Sequence, residues 1–193
     1  MLSLYIVCSH GVKRLHDERL QQKGAAPKVA DRRKATAYHE AGHTVVAWRL
    51  GANPKSATII PHDEVQGEIG REALFEIPSD FDGSDHARNR IERAIMICLA
   101  GPIAQRQFAP RSWRRWHGAS DYQTAFDLAL RINGSTRAAK AYLKWLEMRT
   151  QDLVNSLWSF VERIADDLLT RGVLSLDEIQ SALLPMHKRD AGS

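Results

Sequence analysis

The sequence predicts a mainly α fold with a small β-sheet (α+β), on three observations. Good helix formers run through residues 31–50, and β-branched segments bounded by proline and glycine follow between residues 56 and 77. From residue 136 to 171 apolar side chains then recur at spacings of three, four or seven. A chain of 193 residues, 44% hydrophobic and 26% charged, suits one ordinary domain with a single core.

Taken in order, DRRKATAYHEAGHTVVAWRL (residues 31–50) predicts one helix, with Asp31 suited to the N-cap and Gly51 to the C-terminal stop. SATIIP (residues 56–61) reads as a strand, and Gly67 to Ile69 and Ala73 to Ile77 as further short strands. After a loop at residues 78–84, Ser84 or Asp85 caps a second helix running toward Leu99, with Ile91, Ile95, Cys98 and Leu99 as its buried stripe. Gly101-Pro102 predicts a kink or restart, because proline lacks an N–H and crowds the preceding turn.

Residues 108–120 read as a loop, followed by a third helix from Asp121 to Arg131 that stops at Asn133-Gly134. The periodic stretch from Thr136 to Arg171, with Tyr142, Leu146, Leu153, Leu157, Val161, Ile164 and Leu168, is one long helix or two joined helices. Ser175-x-x-Glu178 is a capping-box pattern that opens a last short helix ending before Pro185, and the polar remainder reads as a frayed tail. The organisation expected is a basic arm over residues 1–30, a folded domain over 31–185 and a tail over 186–193.

Charge and cysteine content narrow the function classes. Residues 1–34 carry a net charge of +5 and the remainder −1. Such an arm can meet nucleic acid, an anionic membrane or an acidic partner, but a solvated tail is the commoner account, and nucleic-acid binding is not expected. Cys8 and Cys98 are too few for a four-thiolate site or a stapled scaffold and fit a reducing compartment, so a cytoplasmic setting is expected. The apolar run Leu4 to Cys8 is far below the ~20 residues of a bilayer span, and no transmembrane segment or secretory signal is expected. Neither a Walker segment nor G-x-G-x-x-G occurs, so ATP binding by this chain is not expected.

The chemistry is concentrated at His39, Glu40 and His43, an H-E-x-x-H pattern inside the first predicted helix. Residues four apart on a helix share a face at about 5–6 Å, so both imidazoles can reach one metal ion. Glu40 projects from an adjacent strip, where a general base can meet a water molecule without ligating the metal. Gly42 costs roughly 1 kcal/mol relative to alanine in a helix interior, which points to close packing or close approach of a substrate. Such a site needs a third protein ligand, and Asp121 at the start of the third helix is the candidate; an ordinary first-turn acid facing the helix dipole explains that position equally well.

TAYHEAGHTVVAWRL, then SATIIP, then CLAG and finally GASDYQTA resemble, in order and spacing, the peptidase domain of the FtsH family of zinc proteases. The resemblance covers roughly residues 30–185 and includes nothing like the family's ATPase module. It implies a zincin-like helical domain with Zn2+ held by His39, His43 and Asp121, Glu40 as the base that activates water, and peptide-bond hydrolysis; with the ATPase module missing, ATP-independent cleavage of peptides or unstructured polypeptides is expected. It further implies that the strand resembling Ser56 to Pro61, through Thr58, Ile59 and Ile60, offers an edge to an extended substrate; ordinary sheet formation accounts for it as well.

Two features depart from the family. One residue fewer separates the Gly-Ala pair from Asp121, and Gln105 and Arg106 stand where the family tends to place acids, which excludes a glutamate ligand from that helix. Tyr38, His117 and Tyr122 are candidates for stabilising an oxyanion, with nothing to select among them. RSWRRWHG (residues 111–118) reads either as a rim that selects substrates or as a locally packed loop. The competing class is a catalytically silent, metallopeptidase-like binding or adaptor protein that holds a partner through the basic arm and this loop.

Overall fold

The computed structural model describes residues 29–60, 84–111 and 118–190. The expected strands at residues 67–77, residues 1–28 of the basic arm and most of RSWRRWHG lie outside the described residues. Six helices and two short strands are described: α1 (Val29–Arg49), β1 (Ser56–Thr58), α2 (Asp85–Phe108), α3 (Ala119–Asn133), α4 (Thr136–Ser156), α5 (Trp158–Arg171), β2 (Val173–Ser175) and α6 (Leu176–Asp190). The fold is mainly α with a small antiparallel sheet, as the sequence predicts.

α2 is the central element. It packs against α1, α3 and α4, while α1 also lies along α5. The expected stripe of Ile91, Ile95, Cys98 and Leu99 is buried, but burial widens to every residue from Ala94 to Gln105. Small residues make that possible: Ala100, Gly101 and Ala104 admit neighbours on faces where longer side chains would hold them off. Val45 and Val46 of α1, Leu146 of α4, and Ile164 and Leu168 of α5 complete the fully buried centre. Each such aliphatic side chain contributes roughly 1.5–3 kcal/mol on leaving water.

Several boundaries differ from the sequence reading, β1 among them, which ends at Thr58, before Ile59 and Ile60. α1 begins at Val29, so Asp31 lies in its first turn and is not the N-cap. α2 passes through Gly101-Pro102 as one helix to Phe108, where a kink or restart is expected. Close packing at this turn offsets the lost backbone bond: Gly101 lies against His43 of α1, and the Pro102 ring sits so close to Gly118 that a Cβ at residue 118 would lie 2.6 Å from its Cγ. α3 starts at Ala119, two residues before the expected Asp121. α6 continues through Pro185 to Asp190; the carbonyl deprived of its helical donor belongs to Ser181, which is exposed and can bond water.

Other signals act as the sequence predicts. Ser84 caps α2, its hydroxyl accepting from the Ala87 N–H at 3.1 Å. Gly134 closes α3 in the left-handed conformation, φ 65°. The stretch from Thr136 to Arg171 is two helices joined at Leu157. Ser175 and Glu178 form the reciprocal capping box, the Ser175 N–H donating to Glu178 Oε2 at 2.8 Å. β2 has no counterpart in the sequence reading. It pairs Ser175 with Ser56, Leu174 with Ala57 and Val173 with Thr58, tying the C-terminal helices to the segment after α1.

Candidate metal centre

α1 and α2 approach closely because of Gly42. A Cβ at this position would fall 2.6 Å from the Ala100 carbonyl oxygen and 2.7 Å from the Ala104 Cβ. The helix-interior cost of glycine is therefore tied to helix contact. With the backbones this near, the face of α1 that carries His39 and His43 looks directly at the buried middle of α2.

The two rings are held by different acceptors. His43 Nδ1 lies 2.7 Å from the Ile97 carbonyl, which can only accept, so His43 donates there. His39 Nδ1 lies 3.0 Å from Gln105 Oε1, a buried contact in which the imidazole again donates. In the neutral rings this leaves both lone pairs on Nε2, and the two Nε2 atoms are 3.0 Å apart.

Asp121 completes the cluster from the first turn of α3. Its carboxylate oxygens lie 3.1 Å from His39 Nε2 and 3.6 Å from His43 Nε2. Its two candidate roles, facing the histidines and serving as a first-turn acid, coexist at one position. The shortened spacing before it does not take it out of reach. His39 is 7% exposed and Asp121 9%, so the cluster is largely shielded from water.

Three electron-pair donors that converge with no proton required between them form a set that could hold a cation. Donors about 2.0–2.2 Å from a tetrahedral zinc stand roughly 3.3–3.6 Å from one another. The two Nε2 atoms are 3.0 Å apart, Asp121 Oδ2 is 3.1 Å from His39 and Oδ1 3.6 Å from His43, and one donor atom from each residue lies within 4.8 Å of the others, close enough for small side-chain adjustments to meet one ion. Two imidazoles and one carboxylate are also the donor types that zinc accepts.

The cluster can take a proton as well. Burial opposes charge on His39, but its hydrogen bond to Asp121 and the nearby Glu40 and Asp121 carboxylates outweigh this and raise its pKa above the ordinary histidine value. His43 is pushed below that value by burial and by the neighbouring His39. Glu40, half-buried on α1, is close enough to act electrostatically on both rings.

The other expected site residues are placed as follows. The Ile59 N–H donates to the Gly172 carbonyl at 3.0 Å, and the Ile60 N–H to Thr58 Oγ1 at 3.1 Å, so both donors are engaged within the chain. Tyr38 stacks on Phe108 with ring centroids 3.8 Å apart and also lies against Trp158. The Tyr122 hydroxyl donates to Glu147 at 3.1 Å. His117 lies outside the described residues. The sequence marks Gln105 only as a departure from the family and gives Ile97 and Gly101 no role at the site. A polar residue closing the apolar run from Ile95 to Ala104 was the available signal for Gln105.

An H-E-x-x-H helix facing a carboxylate on a second helix is the donor arrangement of the zincin class of metallopeptidases. No family model matches the chain. Curated relatives nonetheless come from one group. The chain is 36% identical over 75 residues to the mitochondrial inner membrane i-AAA protease supercomplex subunit YME1 of Saccharomyces cerevisiae, covering 38% of this chain and 9% of that protein. It is 35% identical over 78 residues to the ATP-dependent zinc metalloprotease FtsH of Pelobacter propionicus, covering 39% of this chain and 12% of the relative. A longer match, 27% identical over 175 residues, joins 76% of this chain to 29% of the ATP-dependent zinc metalloprotease FtsH 1 of Alkaliphilus metalliredigens. These matches support a relation to the FtsH family and a metallopeptidase-related function, and the chain spans only a small part of each relative's length.

Proposed function

We propose that the chain is a zinc-dependent endopeptidase acting on peptides or unstructured polypeptides, with its peptidase domain in residues 31–185. The observation that carries this reading is the clustering of His39 Nε2, His43 Nε2 and the Asp121 carboxylate, donors from α1 and α3, within 4.8 Å of one another. When bound there, zinc supplies a Lewis acid for the scissile carbonyl and for water activation. His39, His43 and Asp121 would hold the ion.

Glu40 accepts the proton of the attacking water and passes it to the departing amine, serving first as base and then as acid. Its place beside the two histidines, one residue from His39 on the same helix, suits that transfer. β1 can align an extended substrate. Because Ile59 bonds Gly172 on the β2 side, the alternation of an antiparallel ladder turns the Ser56 and Thr58 backbone groups toward the opposite edge. In this reading cleavage is independent of ATP and favours substrates that need no unfolding.

The test is casein or peptide cleavage together with metal analysis for wild type and Glu40→Gln. The reading expects zinc in both and hydrolysis in wild type alone. Zinc-loaded wild type that cleaves nothing, or activity that survives in the variant, overturns it in favour of a non-catalytic binding role.

A further inference from the structure

Gln105 is the polar exception in a stretch of α2 that is otherwise apolar and buried. It is 8% exposed, and its side-chain oxygen stands 3.0 Å from His39 Nδ1. A buried amide oxygen without a partner is costly, and a neutral imidazole keeps its proton on whichever nitrogen meets an acceptor. We propose that Gln105 is a positioning residue of the metal centre: by accepting the His39 Nδ1 proton it fixes the tautomer and ring orientation that turn the Nε2 lone pair toward His43 and Asp121. The inference rests on the reading above, in which His39, His43 and Asp121 hold zinc.

The two histidines differ in how they are held. His43 is oriented by the Ile97 carbonyl, a backbone acceptor that no side-chain substitution removes. His39 depends on a side chain, and on one end of it, because the amide nitrogen of Gln105 in the same place would donate and force the imidazole proton onto Nε2. A carboxylate could accept just as well. The amide does so without adding a third negative charge beside Asp121 and Glu40, whose fields already reach both rings. Partners that orient a ligating histidine in this way typically change metal affinity by about 10–100-fold when removed.

The experiment compares wild type, Gln105→Leu and Gln105→Glu as full chains, using Zn2+ competition against a chromophoric chelator and the visible spectrum of bound Co2+. Circular dichroism and thermal unfolding without metal report on the fold. Wild type is expected to bind one ion, Q105L to bind about 10–100-fold more weakly with altered Co2+ bands, and Q105E to match wild type or exceed it. Q105L within about twofold of wild type with an unchanged Co2+ spectrum overturns the inference, as does a Q105E weakened as much as Q105L, since a carboxylate offers the same acceptor. Should Q105L fail to fold, the Q105E comparison decides alone. Wild type that binds neither metal overturns the zinc reading itself, and the inference with it.

Discussion

Gly101 of α2 lies against the imidazole of His43 on α1: a Cβ at Gly101 would stand 2.3 Å from Nε2 and 2.6 Å from Cδ2 of the ring. The space occupied by one candidate ligand is thus set by a missing side chain on the neighbouring helix. In Gly101→Ala the ring must leave its alignment with His39 and Asp121, or the helices must part. Zinc affinity is expected to fall at least about tenfold, and overpacking to cost about 1–3 kcal/mol. Urea unfolding and zinc titration measure the two effects separately, and an affinity equal to wild type would mean that the ring has another productive position.

Asp121 joins α3 to the histidine pair, so zinc should stabilise the assembly of α1 with α3. At a zinc concentration about one hundred times Kd the expected gain is about 2.7 kcal/mol. Asp121→Asn weakens the site and should lose most of that gain, while chelation should bring wild type down to its metal-free stability. Thermal unfolding with and without zinc checks this, and an undiminished gain in the variant would remove Asp121 from the ligand set. Binding should weaken toward acid pH, because protons compete for the imidazoles and the carboxylate.

Glu147 of α4 receives the Tyr122 hydroxyl at 3.1 Å and the Lys144 ammonium at 3.0 Å. Burial pushes its carboxyl upward, but the hydrogen bonds from Lys144 and Tyr122 and the charges of Lys144 and Arg106 outweigh this and hold its pKa below the ordinary value. A carboxyl depressed in the folded state adds stability that is fully present above its unfolded pKa of about 4.3 and is lost as pH falls through the lower folded value. Glu147→Gln should be less stable than wild type near neutrality, with the gap closing below about pH 4. Burial and the Glu147 charge also push Tyr122 up to about 12. Urea midpoints from pH 7 to pH 3 test the linkage; a gap that widens toward acid would contradict the sign.

Ser175 closes β2 and opens α6. Its hydroxyl accepts from the Glu178 N–H at 3.4 Å while Glu178 returns a bond to the Ser175 N–H. Ser175→Ala should cost about 0.5–2 kcal/mol without affecting zinc binding, since the capping box shares no contact with the histidine cluster. Equilibrium unfolding and a zinc titration on the same sample check both halves of the expectation.

Signals that act within a few residues of each other were legible in the linear chain. The H-E-x-x-H spacing places His39 and His43 on one face of α1 because the helical repeat alone fixes that relation. Ser84, Gly134 and the Ser175–Glu178 pair mark helix ends through local bonds, and the apolar recurrence at spacings of three, four or seven after Thr136 marks the buried sides of α4 and α5. Pro102 and Pro185 misled, since the backbone penalty of proline is local whereas its compensation comes from packing or from solvent at a distant or exposed carbonyl.

The amino-acid order by itself thus determined a mainly helical chain, the paired imidazoles and the acid between them. Tertiary structure decided which acceptor orients each ring, that Asp121 reaches both Nε2 atoms, and that β1 finds its partner in β2 more than one hundred residues later. The reason is physical. Helix periodicity and capping are settled by neighbours within one or two turns, whereas the direction of a lone pair depends on the close approach of separate helices. That approach rests here on glycines, which leave no periodic trace in the sequence.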